Sequence, residues 1–207
     1  MDPERKQQWD SVHQPFELRY HKNDNYRWHD DLFVPAWESN FGRFLELKPD
    51  HFAPDDILID IGAGSRPAFS YFTRGRCVHI EPLAEKYLEI PAVEPYWSPA
   101  DLENLHPVAA ETCLEEFIGR AAFVNCWNVL DHCFDWRAVV RNMVAYAKPG
   151  AVLSLCTDTK SHGDGHPGID DVAELLTLLG RFSRFVKVEI NYGVEVVRDI
   201  ALKAVRI

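Results

Sequence analysis

The sequence lacks several features that would assign it to a specialised class of protein. No apolar run approaches the roughly 20 residues that a membrane-spanning helix needs. Basic residues are scarce, with 22 Lys and Arg against 32 Asp and Glu, and the formal net charge is −10. Such a surface repels phosphate backbones and anionic lipid head groups. We therefore expect no nucleic-acid partner and no membrane partner.

Signals for secretion and disulfide bonding are also lacking. The N-terminus is charged and has no apolar core of the kind found in signal peptides. The five cysteines form an odd set without a C-x-x-C pair, and three of them lie in apolar, strand-like runs. A reducing, cytoplasmic location is the expectation.

The 207 residues have an ordinary globular composition, 46% hydrophobic and 26% charged, which suits one domain. The composition changes once, near residue 50. Residues 1–50 hold nine of the 25 aromatic side chains, and 35–47 shows the spacing of an amphipathic helix. We interpret 1–50 as a helical, aromatic-rich cap or lid and 51–207 as the main domain.

From residue 57 onward, strand-like and helix-like stretches alternate. This alternation predicts an α/β fold with a doubly wound, mostly parallel sheet. The last two runs, 182–191 and 194–207, predict an antiparallel pair. The other predicted strands are 57–61, 77–81, 92–97, 121–127 and 151–156, and the predicted helices are 68–74, 83–89, 107–119, 136–147 and 170–179.

A glycine-rich turn follows the first predicted strand, in Asp60-Ile61-Gly62-Ala63-Gly64-Ser65. Glycines allow a tight turn and a close ligand approach at the carboxyl end of a parallel strand. Glu81 ends the second predicted strand 21 residues after Asp60, which is the spacing of a carboxylate that accepts ribose hydroxyls. An ordinary strand-to-helix turn is the alternative for such a short motif.

Dinucleotides and S-adenosylmethionine are both bound by turns of this kind. A dinucleotide site uses a third glycine, but Pro67 stands at that position and supplies no N–H for a phosphate. Asp60 would also repel a pyrophosphate, whereas it suits a cationic sulfonium. Electrostatics thus favours S-adenosylmethionine.

Four segments resemble the motifs of class I S-adenosylmethionine-dependent methyltransferases, in the order in which that family has them. ILIDIGAGSRP resembles the first motif, and HIEP (79–82) resembles the second. FVNCWNVLDHCFDW (123–136) resembles the fourth-strand segment, and 139–155 resembles the stretch before the fifth strand, although Ala151 replaces its second glycine. The resemblance covers about residues 50–207.

The resemblance implies a seven-stranded sheet of order 3-2-1-4-5-7-6, with the last strand antiparallel, and S-adenosylmethionine as cofactor. In this family the first-motif acid and glycines line the methionine side, and the second-motif acid holds the ribose. An acid after strand three contacts the adenine, which points to Asp101, although a helix N-cap is an equal reading of that residue. The implied cofactor-binding residues are Asp60, Ile61, Gly62, Ala63, Gly64, Glu81, Pro82, Asp101 and Asn128.

Two histidines are candidate bases for taking a proton from a methyl acceptor, since histidine titrates near neutrality. His132 and His166 follow predicted strands four and five, at the edge where ligands bind. His132 matches a position that is often structural in the family. His162, Asp164 and His166, or Asp131 and Asp158, are the residue types that bind metals, but the surrounding pattern does not favour a metal site, and we predict no metal.

The aromatic N-terminal segment has two interpretations. Its residues Trp28, His29, Trp37 and Arg43 either form a lid that excludes water from the acceptor or only pack against the main domain.

The sequence thus predicts a methyltransferase that acts on a hydroxyl, or an amine, of a small molecule, such as a sugar or natural-product intermediate. The alternatives are a nicotinamide-dependent oxidoreductase and a non-catalytic binding subunit of methyltransferase-like fold.

Overall fold

The computed structural model describes residues 3–22, 35–91, 93, 96–159, 168–169, 171–192 and 197–207, and its centre is one seven-stranded sheet. The strand order is β3-β2-β1-β4-β5-β7-β6, as predicted. The strands are β1 Ile57–Ile61, β2 Arg76–Ile80, β3 Leu105–His106, β4 Ala121–Trp127, β5 Ala147–Asp158, β6 Ser183–Tyr192 and β7 Val197–Arg206.

The strand directions explain where a ligand can bind. Strands β1 to β5 run parallel to their neighbours, whereas β7 is antiparallel to both β5 and β6. The chain moves outward in opposite directions from β1 and β4, which are adjacent. The carboxyl ends of these two strands therefore border a crevice at the point where the topology reverses.

Strand β1 forms at the centre of the sheet because its ILIDI sequence can be buried on both faces. All five of its residues are buried, which is typical of a parallel strand covered on both sides. The helices are α1 Pro3–Gln8, α2 Gln14–Lys22, α3 Ala84–Leu88, α4 Pro99–Glu103, α5 Trp136–Tyr146 and α6 Val172–Gly180, with π-helical turns at Trp9–His13 and Glu38–Phe44.

The two faces of the sheet are covered differently. Helices α5 and α6 bury aliphatic side chains and Trp136 against one face. An aromatic cluster covers the other face, where Phe41 contacts the rings of Phe69, Phe72 and Phe123 at centroid distances of 5.2–6.1 Å. The predicted helix at 35–47 is thus found as a helical segment, π-helical over Glu38–Phe44, that belongs to the core.

Two predicted elements are wrong. The predicted strand at 92–97 is absent from its described residues 93, 96 and 97, and the third strand is instead the short β3. The predicted helix at 107–119 is mostly irregular, with one 3₁₀ turn at Glu115–Phe117. Tertiary bonds replace the helical ones there, because Asn142 Nδ2 donates to the carbonyl of Ala110 (2.9 Å) and Tyr146 Oη accepts from the Leu114 N–H (3.0 Å).

The helix expected at 68–74 is reduced to one 3₁₀ turn, Ala68–Tyr71. Pro67 precedes it with a ψ of 122°, which is not helical. The glycine turn therefore leads into a short turn rather than into an α-helix.

Candidate active site

The glycine turn after β1 depends on backbone conformations that favour glycine. Gly62 and Gly64 have φ angles of +71° and +66°. A Cβ atom on Gly62 would lie 2.3 Å from a methyl carbon of Val129, whereas one on Gly64 would meet nothing within 4 Å. Gly62 thus allows the ends of β1 and β4 to approach each other, and Gly64 leaves open space in front of the turn.

Glu81 follows β2 and is fixed by the same turn. Its Oε2 accepts the N–H of Gly64 at 2.8 Å, and its Oε1 accepts the N–H of Leu83 at 2.9 Å. Burial raises the pKa of Glu81, and the two backbone hydrogen bonds oppose that rise. Each carboxylate oxygen keeps acceptor capacity beyond its one backbone donor.

A cavity of about 400 Å³ opens at the carboxyl ends of β1, β2 and β4, a size within the range of small-molecule sites. Seven of the residues predicted for the site line it, and the structure therefore brings them together. These are Gly62, Ala63, Gly64, Glu81, Pro82, Asn128 and His132.

Asp60 and Ile61 lie beneath the glycine turn and are not among the described residues that line the cavity. Asp60 Oδ1 accepts a hydrogen bond from Asn125 Nδ2 at 2.8 Å, which ties β1 to β4. Burial raises the pKa of Asp60, against the influence of His79 and Asn125.

The predicted placement of Asp101 after strand three is wrong. Asp101 lies in α4, before β3, where Asp101 and Ser98 cap the helix reciprocally. Its Oδ1 is 3.0 Å from His79 Nε2. Burial opposes ionisation of Asp101, but the bonds from His79 and Ser98 outweigh it and lower the pKa. The carboxylate is engaged in this structural cluster, outside the described cavity lining.

A different acid faces the cavity near the fourth strand. Glu111 Oε1 accepts the N–H groups of Phe134 (2.9 Å) and Asp135 (3.1 Å). Its Oε2 is buried and has no hydrogen-bond partner among the described atoms. Burial raises the pKa of Glu111 despite those backbone bonds. The sequence reasoning missed Glu111 because it interpreted 107–119 as a helix.

The N-terminal helices cover the cavity and contribute side chains that the sequence reasoning also missed. Trp9, His13, Glu17 and His21 all line it. They are spaced four residues apart, which places them on one helical face, and this spacing was the available signal. Trp9 Nε1 donates to the carbonyl of His132 at 2.9 Å, which holds the segment on the main domain.

His132 lies between two carboxylates. Its Nδ1 is 3.1 Å from Glu17 Oε1, and its Nε2 is 3.5 Å from Asp131 Oδ2. Burial favours the neutral imidazole, but Glu17 and Asp131 outweigh that effect and raise the pKa of His132.

The pKa of Glu17 shifts in the opposite direction. Burial alone would raise its pKa, but the hydrogen bonds and charges of His132 and His21 lower it to about 2. The geometry therefore favours an ion pair that joins α2 to the turn after β4.

Of the remaining predicted residues, some are described by the structure and others lie outside the described ranges. Trp37 is buried in the aromatic cluster, and Arg43 is exposed.

No group of three metal-ligating side chains occurs among the described residues, and no helix in that part of the chain is long and apolar enough to span a membrane. Five predicted site or lid residues lie outside the described ranges: Trp28, His29, His162, Asp164 and His166.

Comparisons with known proteins agree with this geometry. A family model described as a methyltransferase domain matches residues 33–187, about three quarters of the chain. No curated protein sequence is significantly similar. The fold is similar to a 1,6-didemethyltoxoflavin N1-methyltransferase from Burkholderia thailandensis, with a TM-score of 0.62 and 13% identity over 100% of this chain and 91% of that one.

Two further solved structures share the fold. The N-methyltransferase NodS from Bradyrhizobium japonicum WM9 has a TM-score of 0.62 and 18% identity, over 94% of this chain and 97% of that one. The geranyl diphosphate C-methyltransferase from Streptomyces coelicolor A3(2) has a TM-score of 0.61 and 11% identity, over 94% of this chain and 98% of that one. With the family match and the predicted strand order both in place, the chain belongs to the methyltransferase domain family and has the class I S-adenosylmethionine-dependent methyltransferase fold.

Proposed function

We propose that this chain transfers the methyl group of S-adenosylmethionine to a hydroxyl, or an amine, of a small molecule. The observation that carries the proposal is the cavity at the β1–β4 crevice, where the Gly64 N–H fixes the Glu81 carboxylate beside the glycine turn. The three similar structures were solved with S-adenosylhomocysteine, one of them also with 1,6-didemethyltoxoflavin and another also with Mg²⁺ and geranyl diphosphate.

The residues of the cavity fit this cofactor. Three glutamates line it, which suits a ligand that carries a sulfonium and an ammonium charge. The unpartnered Oε2 of Glu111 is an acceptor that the exocyclic amino group of an adenine would satisfy. We therefore propose Glu111, rather than Asp101, as the adenine contact.

We assign the remaining contacts by position. Glu81 would accept the ribose hydroxyls, and Gly62, Ala63 and Gly64 would shape the methionine side. Pro82 and Asn128 would line the nucleoside side. Asp60 would act from beneath the turn through Asn125, since it lies outside the cavity lining.

The bound cofactor supplies an electrophilic methyl group on a good leaving group. The protein's own task is then chiefly to align an acceptor with that methyl group and to exclude water. We propose that the segment 3–22 acts as a cap that closes the cavity through Trp9 and Glu17, whereas 35–47 is part of the core.

His132 remains a proposed catalytic base, with a restriction that follows from its surroundings. Both of its ring nitrogens face carboxylates, so the proton is retained to a pH above the ordinary value for histidine. His132 would therefore accept a proton only on the alkaline side of that range. His166 stays a sequence-based candidate.

The nicotinamide alternative has less support. A pyrophosphate would need N–H donors where the chain has Pro67 and a single 3₁₀ turn. We propose a small-molecule acceptor rather than RNA because the net charge of −10 opposes binding to a phosphate backbone. Cytoplasmic location is also a proposal, supported by five free cysteines.

Calorimetric titration of the purified protein tests the cofactor proposal. We expect S-adenosylhomocysteine to bind with one-to-one stoichiometry and NADH to give no heat. Absence of S-adenosylhomocysteine binding would overturn the proposal. If it binds but a panel of hydroxyl and amine acceptors gains no labelled methyl group, the non-catalytic alternative is favoured.

A further inference from the structure

Arg66 holds a distinctive position in the cavity. Among the described residues that line it, Arg66 is the single lysine or arginine. Arg66 follows Gly64 by two residues, so their Cα atoms lie within about 7 Å of each other. The Arg66 side chain therefore starts beside the glycine turn, and Arg66 lines the same cavity as Gly62 and Gly64.

Aromatic rings hold the guanidinium group of Arg66. Its central carbon is 3.8 Å from the ring centroid of Tyr96 and 5.3 Å from that of Trp37. Stacking on ring faces fixes the plane of a guanidinium, and its N–H donors lie in that plane, in a fork that matches a carboxylate.

The charges around the cavity limit where an anionic group can bind. Glu81 and Glu111 line it and repel a carboxylate when ionised, whereas the charge of Glu17 is compensated by its ion pair with His132, which also lines the cavity. A zwitterionic ligand with one carboxylate would therefore orient that group toward Arg66 and its cationic groups toward the glutamates.

We infer that Arg66 binds the α-carboxylate in the methionine half of the cofactor. This inference rests on the proposed function, because the proposed ribose contact, Glu81, accepts the N–H of Gly64, two residues before Arg66. The methionine half would then extend from the ribose along the turn toward the guanidinium.

The test compares S-adenosylhomocysteine with its decarboxylated analogue, 5′-deoxy-5′-(3-aminopropylthio)adenosine, by calorimetry. Wild type should bind S-adenosylhomocysteine about 10- to 100-fold more tightly, the range of a charge-assisted hydrogen bond. Arg66→Gln should lose that preference and keep the affinity for the analogue within about threefold. Arg66→Lys should recover part of the preference.

Arg137→Gln is a matched control, since Arg137 also stacks on an aromatic ring, Trp136 at 4.3 Å, but lies outside the cavity lining. It should keep the full preference. The inference is overturned if wild type binds both ligands equally, if Arg66→Gln keeps the preference, or if Arg66→Gln weakens both ligands alike, which would show that Arg66 only shapes the cavity. Failure of wild type to bind either ligand would instead overturn the proposed function itself.

A carboxylate on the methyl acceptor is the alternative ligand for the Arg66 guanidinium. In that case Arg66→Gln would leave the affinity for S-adenosylhomocysteine unchanged, and the inference would be wrong.

Discussion

The two halves of the sheet differ in strand length and in whether they border the cavity. On one side, β5, β7 and β6 have 12, 10 and 10 residues and form a long ladder. On the other side, β1, β2 and β3 have 5, 5 and 2 residues. None of the described residues that line the cavity comes from 147–207.

This difference indicates that the long strands support the sheet, whereas the ends of the short strands border the cavity. In the long ladder β7 pairs with both β5 and β6, and β5 gives β4 a fixed neighbour. The short strands end early, so their carboxyl ends and the turns that follow are available to form the site. The buried acids Asp60 and Glu81 lie at these ends, each held by hydrogen bonds.

The largest expected effect comes from adding one methyl group to a glycine in each half of the sheet. Gly62→Ala should lower the free energy of unfolding by at least about 3 kcal/mol, because backbone strain adds to a severe overlap with Val129. Gly150→Ala in β5 has a similar φ of +81° but open space, and should cost about 1–2 kcal/mol. Urea unfolding of both variants measures the difference, and equal losses would contradict it.

The next effect concerns ligand binding. Glu81→Gln should weaken the binding of S-adenosylhomocysteine about 10- to 100-fold, because a neutral amide accepts ribose hydroxyls less well than a carboxylate. Glu189→Gln on the exposed part of β6 is the control and should leave the affinity unchanged. If Glu81→Gln binds as tightly as wild type in calorimetry, the ribose assignment is wrong.

A smaller effect should depend on pH. The pKa of Glu17 falls from 4.5 to about 2, so its contribution to stability is present above pH 4.5 and is lost as the pH falls toward 2. The pKa of His132 is raised, so its contribution is complete below 6.5 and is lost as the pH rises through the raised value. The Glu17–His132 coupling should therefore be greatest between pH 4.5 and 6.5.

A double-mutant cycle of Glu17→Gln and His132→Gln, measured by thermal unfolding at several pH values, should give a coupling of about 1–2 kcal/mol in that window. Asp131 and Glu81 also act on His132, so some of its raised pKa should survive in Glu17→Gln. The exposed Lys6–Asp10 pair in the same segment provides the control, and Asp10→Asn should cost less than about 0.5 kcal/mol. A coupling that does not vary with pH would exclude an ion pair.

The smallest effect is expected on the long ladder. Val188→Lys, at an exposed position of β6, should change the free energy of unfolding by less than about 0.5 kcal/mol. S-adenosylhomocysteine affinity should not change, as calorimetry can check. A loss of binding would show that this half of the sheet contributes to the site after all.

The sequence predicted the turn at the site from local signals, whereas the sheet order was implied by the resemblance to class I methyltransferases. A five-residue apolar run followed by glycines can be read without tertiary information, and so can the acid 21 residues later. The third strand could not be read in the same way, since Leu105–His106 is too short to show periodicity.

The proposed adenine contact shows how one wrongly predicted strand led the sequence analysis to a different residue. The prediction of a strand at 92–97 placed Asp101 after it, whereas the structure has Asp101 as a helix-capping residue. Glu111 is positioned by backbone N–H groups 23 and 24 residues later in the chain, a relation that no local pattern encodes.

The sequence by itself determined the family, the strand order and the glycine turn with Glu81. The glycine turn with Glu81 follows from an apolar run, glycine positions and spacing along the chain, whereas the strand order follows from the family that four ordered motifs resemble. Tertiary structure alone decided that the π-helical turn Trp9–His13 and α2 line the cavity, that Glu17 pairs with His132 across 115 residues, and that Arg66 stacks on Tyr96 near Trp37. The reason is that such contacts join side chains distant in sequence, and only packing brings them within hydrogen-bond and stacking distance.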